Sequence, residues 1–466
     1  MLEDSRRLPQ ARLTAPTNHL AHEFVETLRL AIPMMLTQLG QIAMTTTDLA
    51  LIGRLGRDAV AAAALAHTVY FISFTFGLGL VVAVSPLAAQ AFATGDRRRV
   101  RRSLRVGLWV ALFISLPMVI SPLYGDEILL ALGQAPHSAA LAQHYLFGLA
   151  WGIAPALGFV GVRSFMGAIN RPQPALWITI AAIPTNAALV YCLIHGLFGL
   201  PELGLFGAGL ATTIVNFSTF FAALAVVAFR KPFAGYHPLV HLWRIDWPLM
   251  RQLLAIGAPI SCAMLMEYGL FSSAALLMGL ISTTALAAHQ IALQVTATLF
   301  MVPLGIGMAA TVRVGHAFGR NEPAAVKRAG LVAALLGIAL VSALTLGVVI
   351  GRDAIAQLFL GNGEGSKATV ELTATLLLIG ATFFIADGLQ TIMGGALRGL
   401  NDTRMALVFA AIGYWGVAFP LAWLLAFNAQ LGAVGVWIGL SLGTFVYAGL
   451  LILRFRLLAK KLRTRS

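Results

Sequence analysis

Apolar residues run in long blocks from about Leu28 to Phe455, separated by short clusters rich in Arg, Lys, Asp, Gly and Pro. Each block is roughly 20 residues or longer, the length a helix rising 1.5 Å per residue needs to cross a hydrocarbon core about 30 Å thick. The pattern predicts twelve transmembrane helices, at 28–53, 60–88, 104–122, 139–161, 174–196, 204–229, 250–280, 284–312, 327–350, 371–396, 405–427 and 432–455. A strand barrel would read as short segments alternating with a period of two. Leu335–Val349 and Val434–Leu440 are instead apolar on nearly every face. The expected fold class is an all-α membrane protein.

Composition agrees: 59% of the 466 residues are hydrophobic and 11% charged, where soluble domains carry roughly 25% charged residues. The charges that remain orient the chain. With these spans, 28 of the 32 Lys and Arg fall on one side of the membrane, leaving Arg54, Arg57, Arg352 and Lys367 on the other. Lys and Arg resist translocation, so both termini are expected in the cytoplasm and the protein in a bacterial inner membrane. The net charge of +14 then reflects topology and anionic lipid headgroups and does not indicate nucleic-acid binding. The first 27 residues read as a retained cytoplasmic tail, since no small-residue cleavage site follows a short apolar core. Cys192 and Cys262 fall inside spans and read as small buried hydrophobes.

The two halves repeat. At an offset of 226, Pro33 matches Pro259, Gly53 matches Gly279, Phe74 matches Phe300, Gly79 matches Gly305, and Arg101-Arg102 match Lys327-Arg328. Leu203-Gly204 and Gly207 match Leu431-Gly432 and Gly435 at an offset of 228. Six spans per repeat insert both copies in the same sense, which places the pseudo-twofold axis along the membrane normal. The expected organisation is a tail (1–27), an N-lobe (28–229), a cytoplasmic linker (230–249), a C-lobe (250–455) and a basic tail (456–466). Two such lobes enclose a central cleft, the layout of a transporter.

Of 18 acidic residues, only Asp48, Glu267 and Asp387 fall well inside spans. A charge at the bilayer centre costs at least roughly 2.5–3.5 kcal/mol, so each needs a reason. Gln38, Gln41, Thr45 and Asp48 recur at helical spacing and draw one polar stripe; Asp387, Gln390 and Thr391 do the same in the tenth span. Carboxyls joined by amide and hydroxyl oxygens suit a hard cation such as Na⁺. A carboxyl among apolar neighbours, as Glu267 is among Met264, Met266 and Phe271, suits a proton carrier. The acids break the repeat: Glu267 corresponds to Gln41 and Asp48 to Ala274.

Six stretches carry a resemblance over about residues 25–455: TTDLALIGRLG (46–56), PLAAQAFATGD (86–96), NRPQPAL (170–176), AAHQIAL (287–293), RVGHAFG (313–319) and ADGLQTIMGGALRGLNDTR (386–404). In this order and spacing they resemble the multidrug and toxic compound extrusion (MATE) family, NorM-like branch. The resemblance implies a twelve-helix, two-lobed monomeric antiporter that expels cationic lipophilic drugs against inward Na⁺ or H⁺, without an organic cofactor. By motif, it assigns cation or proton binding to Asp48 with Asn186 and Thr212 or Thr213 in the N-lobe. In the C-lobe it assigns this role to Glu267 and Asp387, with Na⁺ as the metal these two would hold. Pro33 matches the proline at which the first helix bends. Some family members carry a second polar residue one turn after the asparagine; here that position is Val190, so the N-lobe site is expected to bind cations weakly or to carry a proton.

The expected substrate cavity takes in Gln41, Thr45, Met264, Met266, Phe271, Gln290, Gln390 and Thr391. Methionine-rich and aromatic linings repack around varied apolar ligands. The alternative is a lipid-linked oligosaccharide flippase, which would need Arg or Lys in the cavity for pyrophosphate; the span map puts Arg163, Arg313 and Arg398 near cytoplasmic ends. An enzyme is not expected, because His67, His144, His195 and His289 are scattered and form no catalytic motif.

Overall fold

A computed structural model describes residues 19–199, 201–360 and 367–464, and among these the regular structure is entirely helical. The first half contains α1 (His19–Ile52), α2 (Arg57–Val82), α3 (Val84–Ala93), α4 (Arg97–Leu123), α5 (Gly125–Ala131), α6 (Pro136–Ala150), α7 (Ile153–Ala168), α8 (Gln173–His195) and α9 (Gly204–Phe229). The second contains α10 (Trp247–Ile281), α11 (Thr283–Gly319), α12 (Pro323–Leu360), α13 (Lys367–Gly399), α14 (Thr403–Ala410), α15 (Phe419–Trp423) and α16 (Gly432–Arg463). Ten helices, counting α2–α3 and 403–428 as continuous, are long and apolar enough to cross a membrane. The α6–α7 pair, bent by 48°, is an eleventh. The twelfth is α1, 34 residues long, whose polar stripe dilutes its hydropathy. Twelve crossings in two six-helix lobes result.

The spans differ from the sequence expectation where local chemistry interrupts a helix. The second breaks at Ala83, and Pro86 sits in the first turn of α3, where a missing N–H costs least. The eleventh carries π-helical turns at 411–418 and 424–428. The first begins at His19, so Glu23 and Glu26, assigned to the tail, are helical; residues 1–18 of that tail and 465–466 of the basic tail lie outside the described residues. Cys192 and Cys262 are half-exposed, not buried. His289 is fully buried, its ring 5.8 Å from that of Trp437.

Lobe-to-lobe packing is confined largely to the end that bears the basic loops. One apolar cluster joins Leu30, Ala31 and Met34 of α1, with Ala88 and Ala168, to Ile306, Ala309, Leu336 and Ile392 of the second half. Another seats Leu253, Ile256 and Ile260 of α10 on Leu80, Val84 and Val110 of the first half. The opening halves of α1 and α10 thus each pack on the opposite repeat. Missing side chains make this possible: a Cβ on Gly79 would lie 2.6 Å from the Ser261 backbone, and one on Gly257 2.7 Å from that of Leu80. Phe71 of α2 also meets Tyr268 of α10, ring centroids 5.3 Å apart.

Polar contacts fasten the same end. Arg313 forks onto both carboxylate oxygens of Glu23 at 2.8 Å. Ser261 Oγ donates to the Phe76 carbonyl at 2.6 Å, Gln90 Nε2 to that of Gly399 at 2.9 Å, and His316 Nε2 to that of Ala168 at 2.7 Å. The linker follows: Trp109 Nε1 donates to the Leu242 carbonyl at 2.6 Å, and Arg102 donates to Asp246, which caps α10. That guanidinium holds the Asp246 carboxyl below the usual carboxylate range. Toward the other end, the cluster 51–211 belongs to the first half alone, and the cluster 263–462, which runs the length of the second half, takes in no residue of the first. The cleft therefore opens away from the basic loops.

Candidate cation and substrate sites

The polar stripe of α1 ends at Asp48, which is 6% exposed although it sits in a transmembrane helix. α8 and α9 bring its partners. Asn186, fully buried, donates through Nδ2 to Asp48 Oδ1, and Thr212 Oγ1 lies 3.3 Å from Asp48 Oδ2. A carboxyl, an amide and a hydroxyl from three helices thus meet in a nearly closed space. Thr213, expected with them, is turned away. Its hydroxyl donates to the Gly148 carbonyl at 2.6 Å and ties α9 to α6, because adjacent helical residues point about 100° apart. Val190 is fully buried and adds no polar atom.

In the second half, α10 and α13 set Glu267 and Asp387 on either side of one amide. Gln390 Nε2 lies 3.0 Å from Asp387 Oδ1, 3.3 Å from Glu267 Oε1 and 3.1 Å from Thr391 Oγ1. Two amide hydrogens therefore face three acceptors. Thr391 donates back to the Asp387 carbonyl at 2.8 Å. Tyr414 donates to Glu267 Oε1 at 3.1 Å. Asp387 is 4% exposed and lies behind Gln390. Glu267, Gln390 and Thr391 instead line a small space of about 80 Å³ that is partly open to the exterior, together with Met264, Phe300 and Arg398.

Other expected cavity residues lie elsewhere. Met266 and Phe271 pack against the core of the second half, Phe271 edge-on to Phe383 at 5.9 Å. Gln290 is exposed on α11 and does not line the space around Glu267. Gln41 is half-buried and Thr45 exposed, its hydroxyl donating to the Gln41 carbonyl at 3.1 Å. These two lie two turns and one turn before Asp48 on the same helix. Pro33 is buried in α1, and Thr37 donates to its carbonyl at 2.7 Å, a back-bond of the kind that bends helices.

Four residues escaped the sequence reading or were placed elsewhere by it. Tyr414 and Tyr447 stand in apolar runs without any motif. The π-helical stretch 411–418, a feature frequent at functional sites, directs Tyr414 onto Glu267. Arg398, placed near a helix end by the span map, lines the acid-bearing space. Arg163 is likewise inside, 7% exposed, and donates to Gln38 Oε1 at 2.7 Å across the α1–α7 contact. Among the described residues no three His, Cys, Asp or Glu side chains cluster as a metal site.

Comparison with known proteins agrees with this architecture. The MatE family model matches residues 33–192 and 259–424, two segments that follow the internal repeat. A probable multidrug resistance protein NorM from Bradyrhizobium diazoefficiens is 78% identical over 462 residues, covering 99% of both chains. Its namesake from Rhodopseudomonas palustris is 58% identical over 438 residues, covering 94% of this chain and 92% of that one. The crystal structure of the eukaryotic MATE transporter AtDTX14 superposes with a TM-score of 0.85 at 20% identity, covering 96% of this chain and 99% of that one. An outward-facing multidrug resistance MATE transporter of the MOP superfamily gives 0.86 at 19% identity over 94% and 96%. The chain belongs to the MATE family, in its NorM-like branch.

Proposed function

We propose that this protein is a multidrug efflux antiporter that exports cationic amphiphilic compounds across a bacterial inner membrane in exchange for Na⁺ or H⁺. The observation that carries the reading is the pair of carboxyls, Glu267 and Asp387, joined by Gln390 at the wall of an apolar space inside a membrane-spanning lobe. Such carboxyls attract a drug cation and a coupling cation alike, and exchange follows when the two compete. In the arrangement here the Gln390 amide nitrogen faces both acids. Loading a hard cation would turn an oxygen inward instead; loading a proton would convert one acid to a donor.

The cycle runs by alternating access. With 28–229 as the N-lobe, 230–249 as the linker and 250–455 as the C-lobe, both termini face the cytoplasm and the cleft described above is outward-open. A cation entering from outside occupies the acids and displaces drug; the lobes then rock, with Pro33 and Pro259 as the bending points of the two helices that cross between them. Cargo shifts this equilibrium only through unequal affinity for the two states. The protein acts as a monomer, since each lobe pair encloses its own cleft. A flippase reading is not favoured: the relatives are named multidrug resistance proteins, and Arg398 lines the same space as Glu267, a carboxyl that would repel a pyrophosphate.

Ethidium efflux from proteoliposomes, with a Na⁺ gradient and a pH gradient imposed separately, is expected to be driven by at least one of them; absence of efflux under both, with correctly inserted protein, would remove the reading. Tyr414→Phe deletes one donor to Glu267. Hydrogen bonds to charged groups are worth about 1.5–3 kcal/mol, so the variant is expected to lower ethidium efflux roughly tenfold or more while its melting temperature stays near wild type. Unchanged efflux would show that this hydroxyl plays no part.

A further inference from the structure

A long groove runs down the outside of the second half, away from the acids. α12 and α16 form its walls and α13 its floor, leaving a groove of about 1040 Å³ with one side open to the exterior. Leu331, Leu335 and Ile338 line one wall and Ile452 and Phe455 the other, with Leu389 and Met393 beneath. Gly330 lets the walls meet at the bottom, for a Cβ there would lie 2.2 Å from the Phe455 ring. At the end near the basic loops the lining changes character. Lys327 stands on α12, and Arg456 and Lys460 stand four residues apart on one face of α16.

We propose that this groove is a binding site for an anionic phospholipid, its headgroup phosphate held by Lys327, Arg456 and Lys460 and an acyl chain laid along Leu331, Leu335 and Ile338. The dimensions commit the groove to a lipid. From Lys327 to Ile338 is eleven residues of helix, about 16 Å, close to one leaflet of a hydrocarbon core about 30 Å thick. The charge lies only at the end where headgroups of that leaflet would sit, and basic pockets between helices on the cytoplasmic side recognise anionic headgroups. Three exposed apolar side chains in a row on α12 need an apolar cover, and the surrounding bilayer supplies one. The site also has a place in the fold: Leu389 and Met393 are on the opposite face of α13 from Asp387, Gln390 and Thr391, so the lipid lies directly behind the helix that carries the acid cluster.

Lipid binding is measured on the purified full-length protein, by melting temperature and native mass spectrometry, with phosphatidylglycerol and phosphatidylcholine of identical chains. Wild type is expected to gain stability from phosphatidylglycerol and to retain it as an adduct at concentrations where phosphatidylcholine does neither, the preference fading with salt. Each basic residue near an anionic surface contributes a factor of about five, so Lys327→Gln is expected to weaken phosphatidylglycerol binding about fivefold. The triple variant Lys327→Gln/Arg456→Gln/Lys460→Gln is expected to bring it down to the phosphatidylcholine level. Leu335→Trp, which fills the groove and spares the charges, is expected to reduce both lipids. Equal response of wild type to the two lipids, or an unchanged preference in Lys327→Gln, overturns the proposal. So does an adduct mass that shows a second copy of the chain in place of lipid. None of these readouts depends on transport, so they stand apart from the test of drug efflux.

Discussion

Asp387→Asn is expected to reduce ethidium efflux to the level of cells lacking the transporter, at least a tenfold loss, while expression and membrane insertion remain intact. The substitution keeps size and shape. Asn retains an oxygen for Gln390 Nε2, which lies 3.0 Å from Asp387 Oδ1, so packing around α13 survives. What disappears is the ability to alternate between charged and cation-loaded forms at a position that is 4% exposed. A group that cannot change its charge binds the coupling ion no differently in the two states, and a ligand with equal affinity for both shifts nothing. Efflux at wild-type rate in this variant would exclude Asp387 from coupling and leave Glu267 or Asp48 as the carrier.

The second large effect lies at the closed end. Arg313 and Glu23 are 13% and 7% exposed at the side chain and meet in a two-pronged contact between α11 and α1. Removing one partner of a buried pair costs about 3–5 kcal/mol, because the other charge stays buried and unmatched, whereas exchanging both for apolar residues is often neutral. Arg313→Leu is therefore expected to destabilise this closed arrangement by about 3 kcal/mol, more than a hundredfold in population, and to impair efflux. Glu23→Leu/Arg313→Leu is expected to recover much of the loss. Distances between labels on the two lobes near residues 23 and 313 report the population directly. A single variant with wild-type distances, or a double variant no better than the single, would show that the pair does not hold the lobes together.

Much of this architecture was legible in the chain. The spans were visible because hydrocarbon thickness imposes a length on every crossing, and the repeat because Pro33 and Pro259 or Gly79 and Gly305 stand at a constant offset. Asp48, Glu267 and Asp387 stood out because carboxyls are costly in lipid. Their partners were less readable. Thr212 and Thr213 differ only by one helical step, and no sequence pattern tells which hydroxyl turns to Asp48 and which to Gly148. Met266 and Phe271 look like cavity lining and, half-buried, pack against the core of the second half, since apolar side chains satisfy either environment. Tyr414 owes its position to a change of helical pitch, and Arg398 to the depth at which α13 ends; both are set by tertiary packing. Arg163, read as a residue near a cytoplasmic end, is inside because Gln38 on a distant helix accepts a hydrogen bond from it.

The exchange of partners by α1 and α10 bears on how the molecule is made. Leu253, Ile256 and Ile260, on the far side of the linker, fill the core of the first repeat. Leu30, Ala31 and Met34, near the beginning of the chain, fill that of the second. A nascent chain that has inserted only its first six crossings has a half-finished interior, and the ribosome must deliver α10 before that half can settle. The two repeats are thus no longer a pair of self-sufficient modules: each lends the opening half of one helix to its neighbour, and a gene cut at the linker would separate two products that each lack that half-helix from their core.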